Sequence, residues 1–257
     1  MISSRVFGGT MYIKTKGLVL RDAPYKESSR ILTVLTDSEG KITVNARGAK
    51  RKGSKNAGAA QLLGFSELTL FHERGRYTLT ESHPIELFEG LREDVALLSL
   101  GVYFAELMEA VSDEDIPNPE ILSLGLNALY ALSEGKNEPT LVKAAFELRL
   151  SCLAGFEPSL YGCSVCGREE AESPLFDLEG GVLTCRTCAE GTLSERMTLS
   201  PSVLKAMQYI VGAEAKRLYL FTVGEKTLSE LSRVSEAYLL TQLGTEFRSL
   251  DFYKSVR

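Results

Sequence analysis

The sequence predicts a multidomain α+β chain: an N-terminal five-stranded β-barrel of the OB type, then an α-helical domain carrying a four-cysteine excursion. Three observations carry that reading. Between Tyr12 and His83 apolar residues alternate or run in short β-branched stretches separated by turn signals, with no helix before Glu86. After Pro84 the apolar period lengthens to that of a helix. Inside the helical part, two C-x2-C pairs break the pattern. With 257 residues, 44% hydrophobic and 25% charged, the chain has enough apolar material for packed cores, which excludes disorder over most of its length.

The strands follow in order. Gly17–Leu20 is a short buried run, and Arg30–Thr36 is rich in β-branched residues. After the turn Asp37–Gly40, Lys41–Asn45 alternates as a half-buried strand does. Ser66–His72 and Arg76–Glu81 flank Glu73-Arg74-Gly75, a tight hairpin. Closing five strands into a barrel removes exposed strand edges, which is why the OB-type closure is the economical one. Phe65 and Phe71, set among leucines, are assigned to its core.

Helices follow. Leu91, Val95, Leu98, Val102, Ala105 and Met108 share one helical face. Asn118-Pro119-Glu120 starts a second helix through Leu132, with a side-chain cap and proline at the first position. Pro139 opens a third, ended by Gly155, and Ser200-Pro201 a fourth. Leu228–Leu250 reads as one last helix. The implied domains are the barrel at 11–88, the helical domain at 89–160 and 192–257, and the cysteine excursion at 161–191. Met1–Thr10, with little apolar content, reads as a poorly ordered extension or an appended remnant rather than a signal peptide.

Cys163-Ser-Val-Cys166 and Cys185-Arg-Thr-Cys188 form the most specific local signal. Each C-x2-C turn aims two thiolates at one point, and Gly167 and Gly191 permit the sharp backbone. Four thiolates complete a tetrahedron around Zn2+ with no open position, so one structural zinc is expected at Cys163, Cys166, Cys185 and Cys188. Phe176–Val182 reads as a hairpin linking the two knuckles, and the metal supplies much of the folding energy of so small a module. Redox dithiols are the competing interpretation. Cys152 stands apart as a small buried hydrophobe.

Charge separates the ends of the chain. The formal total is −5, yet residues 1–90 hold 14 Lys and Arg against 9 Asp and Glu, and the rest hold 15 against 25. A basic front and an acidic remainder point to a nucleic-acid partner that the total conceals. Arg47, Lys50, Arg51, Lys52 and Lys55 lie on a Gly/Ser-containing loop suited to phosphates, and Lys14, Lys16, Arg21, Lys26, Arg30, Arg74 and Arg76 add charge from the same domain. Tyr12, Tyr25, Phe65, Phe71 and Tyr77 are interleaved with them, and OB folds hold single strands by stacking bases on such rings.

No apolar run of about 18 residues exists, so no membrane span is expected. His72 and His83 read as satisfied polar groups near the hairpin, and Asp113–Asp115 as a solvated turn. No Walker loop, dinucleotide-binding glycine pattern or nucleophile elbow is present, so no catalytic residue is assigned. Two other readings of the same features stay open. One is a zinc-ribbon enzyme on nucleic acid using carboxylate-bound Mg2+, and the other is an RNA-binding accessory factor.

Several segments in this order resemble one family. Lys14–Leu20, Tyr25–Ser29, Val44–Lys50 (VNARGAK), Phe146–Gly167 and Phe247–Phe252 resemble the bacterial recombination mediators of the RecO family, from about Met11 to the C-terminus. The resemblance implies an OB domain, a helical domain and a zinc-finger-like excursion, without a catalytic centre. It implies a cytoplasmic DNA-repair protein that binds single- and double-stranded DNA and anneals complementary strands. It also implies partners: RecR, the acidic C-terminal tail of SSB, and RecA indirectly through loading onto SSB-coated strands. A tail carboxylate needs a cation beside an apolar groove, for which Lys143, Arg149, Lys205 and Arg217 are the candidates.

Overall fold

The computed structural model describes residues 10–49, 51, 54, 56, 58, 60–169, 174–189 and 195–257. Contacts divide the chain into two compact units, the first running to Ser133 and resuming at Phe247–Arg257, the second Glu134–Glu246. This division does not follow the change from strand to helix.

The first unit begins with a closed barrel in the order β1-β2-β3-β5-β4, built from β1 (Thr10–Tyr25), β2 (Ser29–Thr36), β3 (Lys41–Ala46), β4 (Phe65–Glu73) and β5 (Arg76–Glu86). The expected barrel is therefore present, with a first strand much longer than the Gly17–Leu20 run. β1 serves two neighbours: Thr10–Leu18 pairs with β4 and Gly17–Tyr25 with β2, with an irregularity between Val19 and Arg21. Ile13, Val19, Leu32, Val34, Val44, Leu68, Leu70 and Leu79 fill the interior. Arg74 and Gly75 both take positive φ (50° and 71°), the two-residue turn whose twist matches the paired strands.

Leu18, Leu20 and Leu35 point out of the barrel yet are buried. They lie under α1 (Val95–Val111), which packs on β1, and α2 (Pro119–Ser133), which reaches β2. Gly101 permits the approach, because a Cβ there would come within 2.9 Å of Leu63 Cδ1. The buried face of α1 differs from the expected one. Val95 is 62% exposed, while Leu100, Tyr103, Phe104, Leu107 and Met108 are buried, since a helix covered from several sides needs no single apolar stripe. Asn118 caps α2 as expected, its Oδ1 accepting from the Ile121 N–H at 3.1 Å.

The second unit contains α3 (Pro139–Leu153), β6 (Leu175–Asp177), β7 (Val182–Thr184), the short α4 (Arg186–Ala189), β8 (Arg196–Thr198), α5 (Pro201–Gly212) and α6 (Glu225–Leu243). α3 is its centre, buried almost all round from Leu141 to Ser151 between α5 and α6. The single helix expected over Leu228–Leu250 is two. Gly244 ends α6 in the left-handed conformation (φ 60°), its N–H returning to Leu240 O, and α7 (Arg248–Val256) packs on α1 in the first unit. Helical periodicity ran through the break because Leu250 is apolar and buried on both readings. Among the described residues no helix is long and apolar enough to cross a membrane.

Candidate metal centre and nucleic-acid interface

The cysteine module grows from a three-stranded sheet in the order β7-β6-β8. The hairpin expected around Phe176–Val182 is there, closed by Asp177, whose Oδ1 accepts from the N–H groups of Glu179 and Gly180 at 3.1 and 2.9 Å. Gly181 sits at φ +62°, and a Cβ there would fall 2.5 Å from Tyr238 Oη. One knuckle turns at Gly167 (φ +70°), with its N–H donating to Cys163 O at 2.8 Å, and is tied to β7 through Ser164 N–H and Leu183 O. The other is the helical turn of α4, where Cys188 N–H donates to Cys185 O.

These turns bring the sulfurs of Cys163, Cys166, Cys185 and Cys188 within 4.8 Å of one another, a geometry compatible with a structural metal. Among the described residues this is the one group of three or more His, Cys, Asp or Glu side chains close enough to hold an ion. Backbone N–H groups of Cys166, Cys185 and Val165 hold the Cys163 thiol down to about 6. Hydrogen bonding to Cys185 and Cys166 pushes the Cys188 thiol up to about 12. Four sulfurs this close cannot all be thiolates without a cation, so the donor set fits a metal. Cys152 differs: burial pushes its thiol up to about 11 and its Sγ donates to Leu148 O at 3.2 Å, as suits a packing residue.

The module's docking is invisible in the cysteine spacing. Phe176, Leu178 and Leu183 are buried, and Phe176 meets Tyr238 of α6 at 5.1 Å between ring centroids. Gln242 Nε2 donates to Leu178 O (2.6 Å) and Gln208 Nε2 to Leu160 O (2.8 Å), while Tyr238 Oη donates to Phe156 O (3.0 Å). A cleft of about 210 Å3 opens between the first knuckle and α5, lined by Tyr161, Arg168, Leu204 and Gln208 among others.

In the barrel the structure sorts the twelve basic candidates into three groups. Lys14, Lys16, Lys26, Arg47, Arg51, Arg74 and Arg76 are exposed, with no carboxylate partner among the described residues. Arg21 is held by Glu109 of α1 at 2.9 Å, and Arg30 by Asp22. Lys50, Lys52 and Lys55 lie outside the described residues. The loop's flanks are anchored: Ala49 and Ala60 belong to the barrel interior, and Asn56 Oδ1 accepts from Ser82 Oγ at 2.9 Å. Lys26 rides 5.3 Å over the Tyr25 ring at the β1–β2 turn.

Phe65 and Phe71 are not core. On β4 the inward positions are Ser66, Leu68 and Leu70, so the odd-numbered side chains face outward and both phenylalanines are half-buried. Tyr77 turns inward instead, stacked on His72 at 4.5 Å. His83 is exposed beside Glu81 at 3.4 Å. Asp113–Asp115 is exposed, its backbone pinned to β3 through Asp115 N–H and Lys41 O. Of the cations considered for an acidic tail, Lys143 is 1% exposed and ion-paired with Glu147 (2.7 Å) and Glu236 (2.8 Å), out of a partner's reach. Arg149 donates to Val211 O, while Lys205 and Arg217 are exposed.

Comparison with known proteins covers nearly the whole chain. Residues 11–88 match the family model described as Recombination protein O N terminal, and residues 92–251 the one described as Recombination protein O C terminal. A DNA repair protein RecO of Acetivibrio thermocellus is 32% identical over 245 residues, 95% of this chain and 97% of its own length. Those of Alkaliphilus metalliredigens (31% over 247 residues; 96% and 100%) and Exiguobacterium sibiricum (34% over 239 residues; 93% and 95%) are similarly close.

Proposed function

Because the chain belongs to the RecO family of DNA repair and recombination proteins, we propose that it is a non-catalytic recombination mediator of the bacterial cytoplasm. It binds single- and double-stranded DNA through the barrel and anneals complementary strands. With RecR, and docked on the SSB tail, it helps load RecA onto SSB-coated strands. The observation that carries this is the set of exposed barrel cations, Lys14, Lys16, Lys26, Arg47, Arg51, Arg74 and Arg76, that no described carboxylate neutralises. Cations of this kind on a closed barrel attract phosphate without reading sequence, and neutralising two strands at once lowers their mutual repulsion. The metal is zinc, held structurally. Thiolates at about 2.3 Å around zinc stand about 3.8 Å apart, and Cys166 Sγ and Cys185 Sγ are 3.9 Å apart.

The test is DNA binding as a function of salt. Replacing Lys50, Arg51 and Lys52 together by glutamine weakens binding to a single strand and lowers the slope of log K against log salt by about 2, near 0.7 per lost phosphate contact. Annealing of SSB-coated complementary strands falls in parallel. Unchanged affinity and slope would remove the loop from the interface. Tighter binding to RNA than to DNA, or Mg2+-dependent cleavage of the strand, would overturn the mediator reading.

A further inference from the structure

We infer that Tyr12 and Phe71 form a base-stacking platform on the outer wall of the barrel, and that it adds to single-strand binding an affinity that duplex does not gain. The inference rests on the DNA-binding reading above and assigns within it a task the cations cannot perform.

OB barrels commonly receive oligonucleotides on the face of strands 2 and 3. Here β2 is closed off: Leu35 is fully buried and Thr33 is 8% exposed, with α2 reaching the strand. The first half of β1 beside β4 is open, Tyr12, Lys14 and Lys16 all being exposed. Tyr12 and Phe71 are directly paired across these strands, with ring centroids 5.3 Å apart and planes tilted by 58°. Tyr12 is 67% exposed, unusual for an aromatic side chain with a partner ring beside it. Along β1 the next outward residues are Lys14 and Lys16, spaced by about 7 Å as alternate strand positions are, and both are exposed. The β4–β5 turn carrying Arg74 lies on the other side of the ring pair.

Acidic groups on the same wall decide what this surface contributes. Glu67 stands opposite Lys16 and Glu73 precedes the turn, so Lys14, Lys16 and Arg74 leave this lane a modest positive excess. Its cations hold phosphates of single strand and duplex alike, while the exposed ring offers its face only to a free base. Every base has a π face, so stacking tolerates any sequence, but a base already stacked within a duplex cannot be given up without cost. Duplex is therefore bound by the cations alone, and a single strand by the cations and the platform.

Two substitutions test this. Tyr12→Ala should weaken single-strand binding by about tenfold while duplex affinity and the salt slope of single-strand binding stay at wild-type values; Tyr12→Phe should retain wild-type affinity, since the ring does the stacking. The chain contains no tryptophan, so Tyr12→Trp places the sole indole on the platform. Its emission should be quenched by oligo(dT) and unaffected by duplex or by an abasic oligonucleotide of equal length. Labelled oligo(dT) that binds without changing that emission, or an equal loss of single-strand and duplex affinity in Tyr12→Ala, overturns the platform and leaves the DNA-binding reading intact. Failure of the wild-type protein to bind labelled DNA at all overturns both.

Discussion

Removing the metal from the reduced protein, or replacing Cys185 by serine, dissolves the β6–β8 sheet while the barrel keeps its fold. The sheet strands are three residues each, far too short to stand alone, and the clustered sulfurs, with one backbone bond from Ser164 N–H to Leu183 O, join the first knuckle to the second. The module's contacts with Tyr238 and Gln242, made through Phe176 and Leu178, fix where it docks, but they hold the hairpin and not the knuckles. The barrel interior is drawn from residues before Thr80 and owes nothing to the site. Metal analysis should find one zinc per chain, lost on chelation. Hydrogen exchange should then show the amides of Leu175–Asp177 unprotected and those of Leu68–Leu70 unchanged. A chelated, reduced protein with full protection at both would show that packing on the helices alone folds the module. Binding should also weaken as pH falls, because each thiol must lose its proton to ligate.

Lys143→Met destabilises the second unit by about 3–5 kcal/mol, the usual cost of breaking a buried ion pair from one side. Lys143 and Glu147 are 1% and 0% exposed, one turn apart on α3, and Glu236 reaches the same ammonium from α6. Methionine matches the lysine stem in bulk but removes the charge that the buried Glu147 and the partly buried Glu236 share. Burial by itself lowers the lysine's pKa, yet Glu147 and Glu236 together raise it above the ordinary value. A raised lysine pKa stabilises the fold fully below the unfolded value of about 10.4. That contribution is lost only as pH rises through the higher folded value. Urea melts of wild type and variant should therefore differ by a constant amount from pH 6 to 9 and converge only in strong alkali. The double variant Lys143→Met with Glu147→Leu should recover part of the loss. If Lys143→Met melts with the wild type, the cluster is not what joins α3 to α6.

Cys163, Cys166, Cys185 and Cys188 announce themselves by spacing, whereas Lys143 looks like any surface lysine on a helix. Nothing within a few residues of it encodes burial; Glu236 is 93 positions away. The same holds for the interface. The sequence ranks Arg21 and Arg30 with the other cations, but Glu109 and Asp22 already hold them, one through a helix packed on the barrel and the other across β1 and β2.

What the sequence determined by itself is whatever local chemistry decides: strand against helix, the Arg74-Gly75 turn, the Asn118 cap, the paired cysteine turns, the family motifs. Each depends on backbone preference or on ligands a few residues apart, so neighbours in the chain suffice. The tertiary structure alone decided which faces meet. It placed Phe71 outward beside Tyr12, turned Tyr77 inward on His72, sent α7 back to α1 after the break at Gly244, and buried Lys143 between two carboxylates. Those outcomes depend on register and on contacts between residues far apart in the chain. Phe71 is the partial exception: Glu67 and Thr69 alternate with Leu68 and Leu70, so the strand period already turns it outward, and only its pairing with Tyr12 needed the fold.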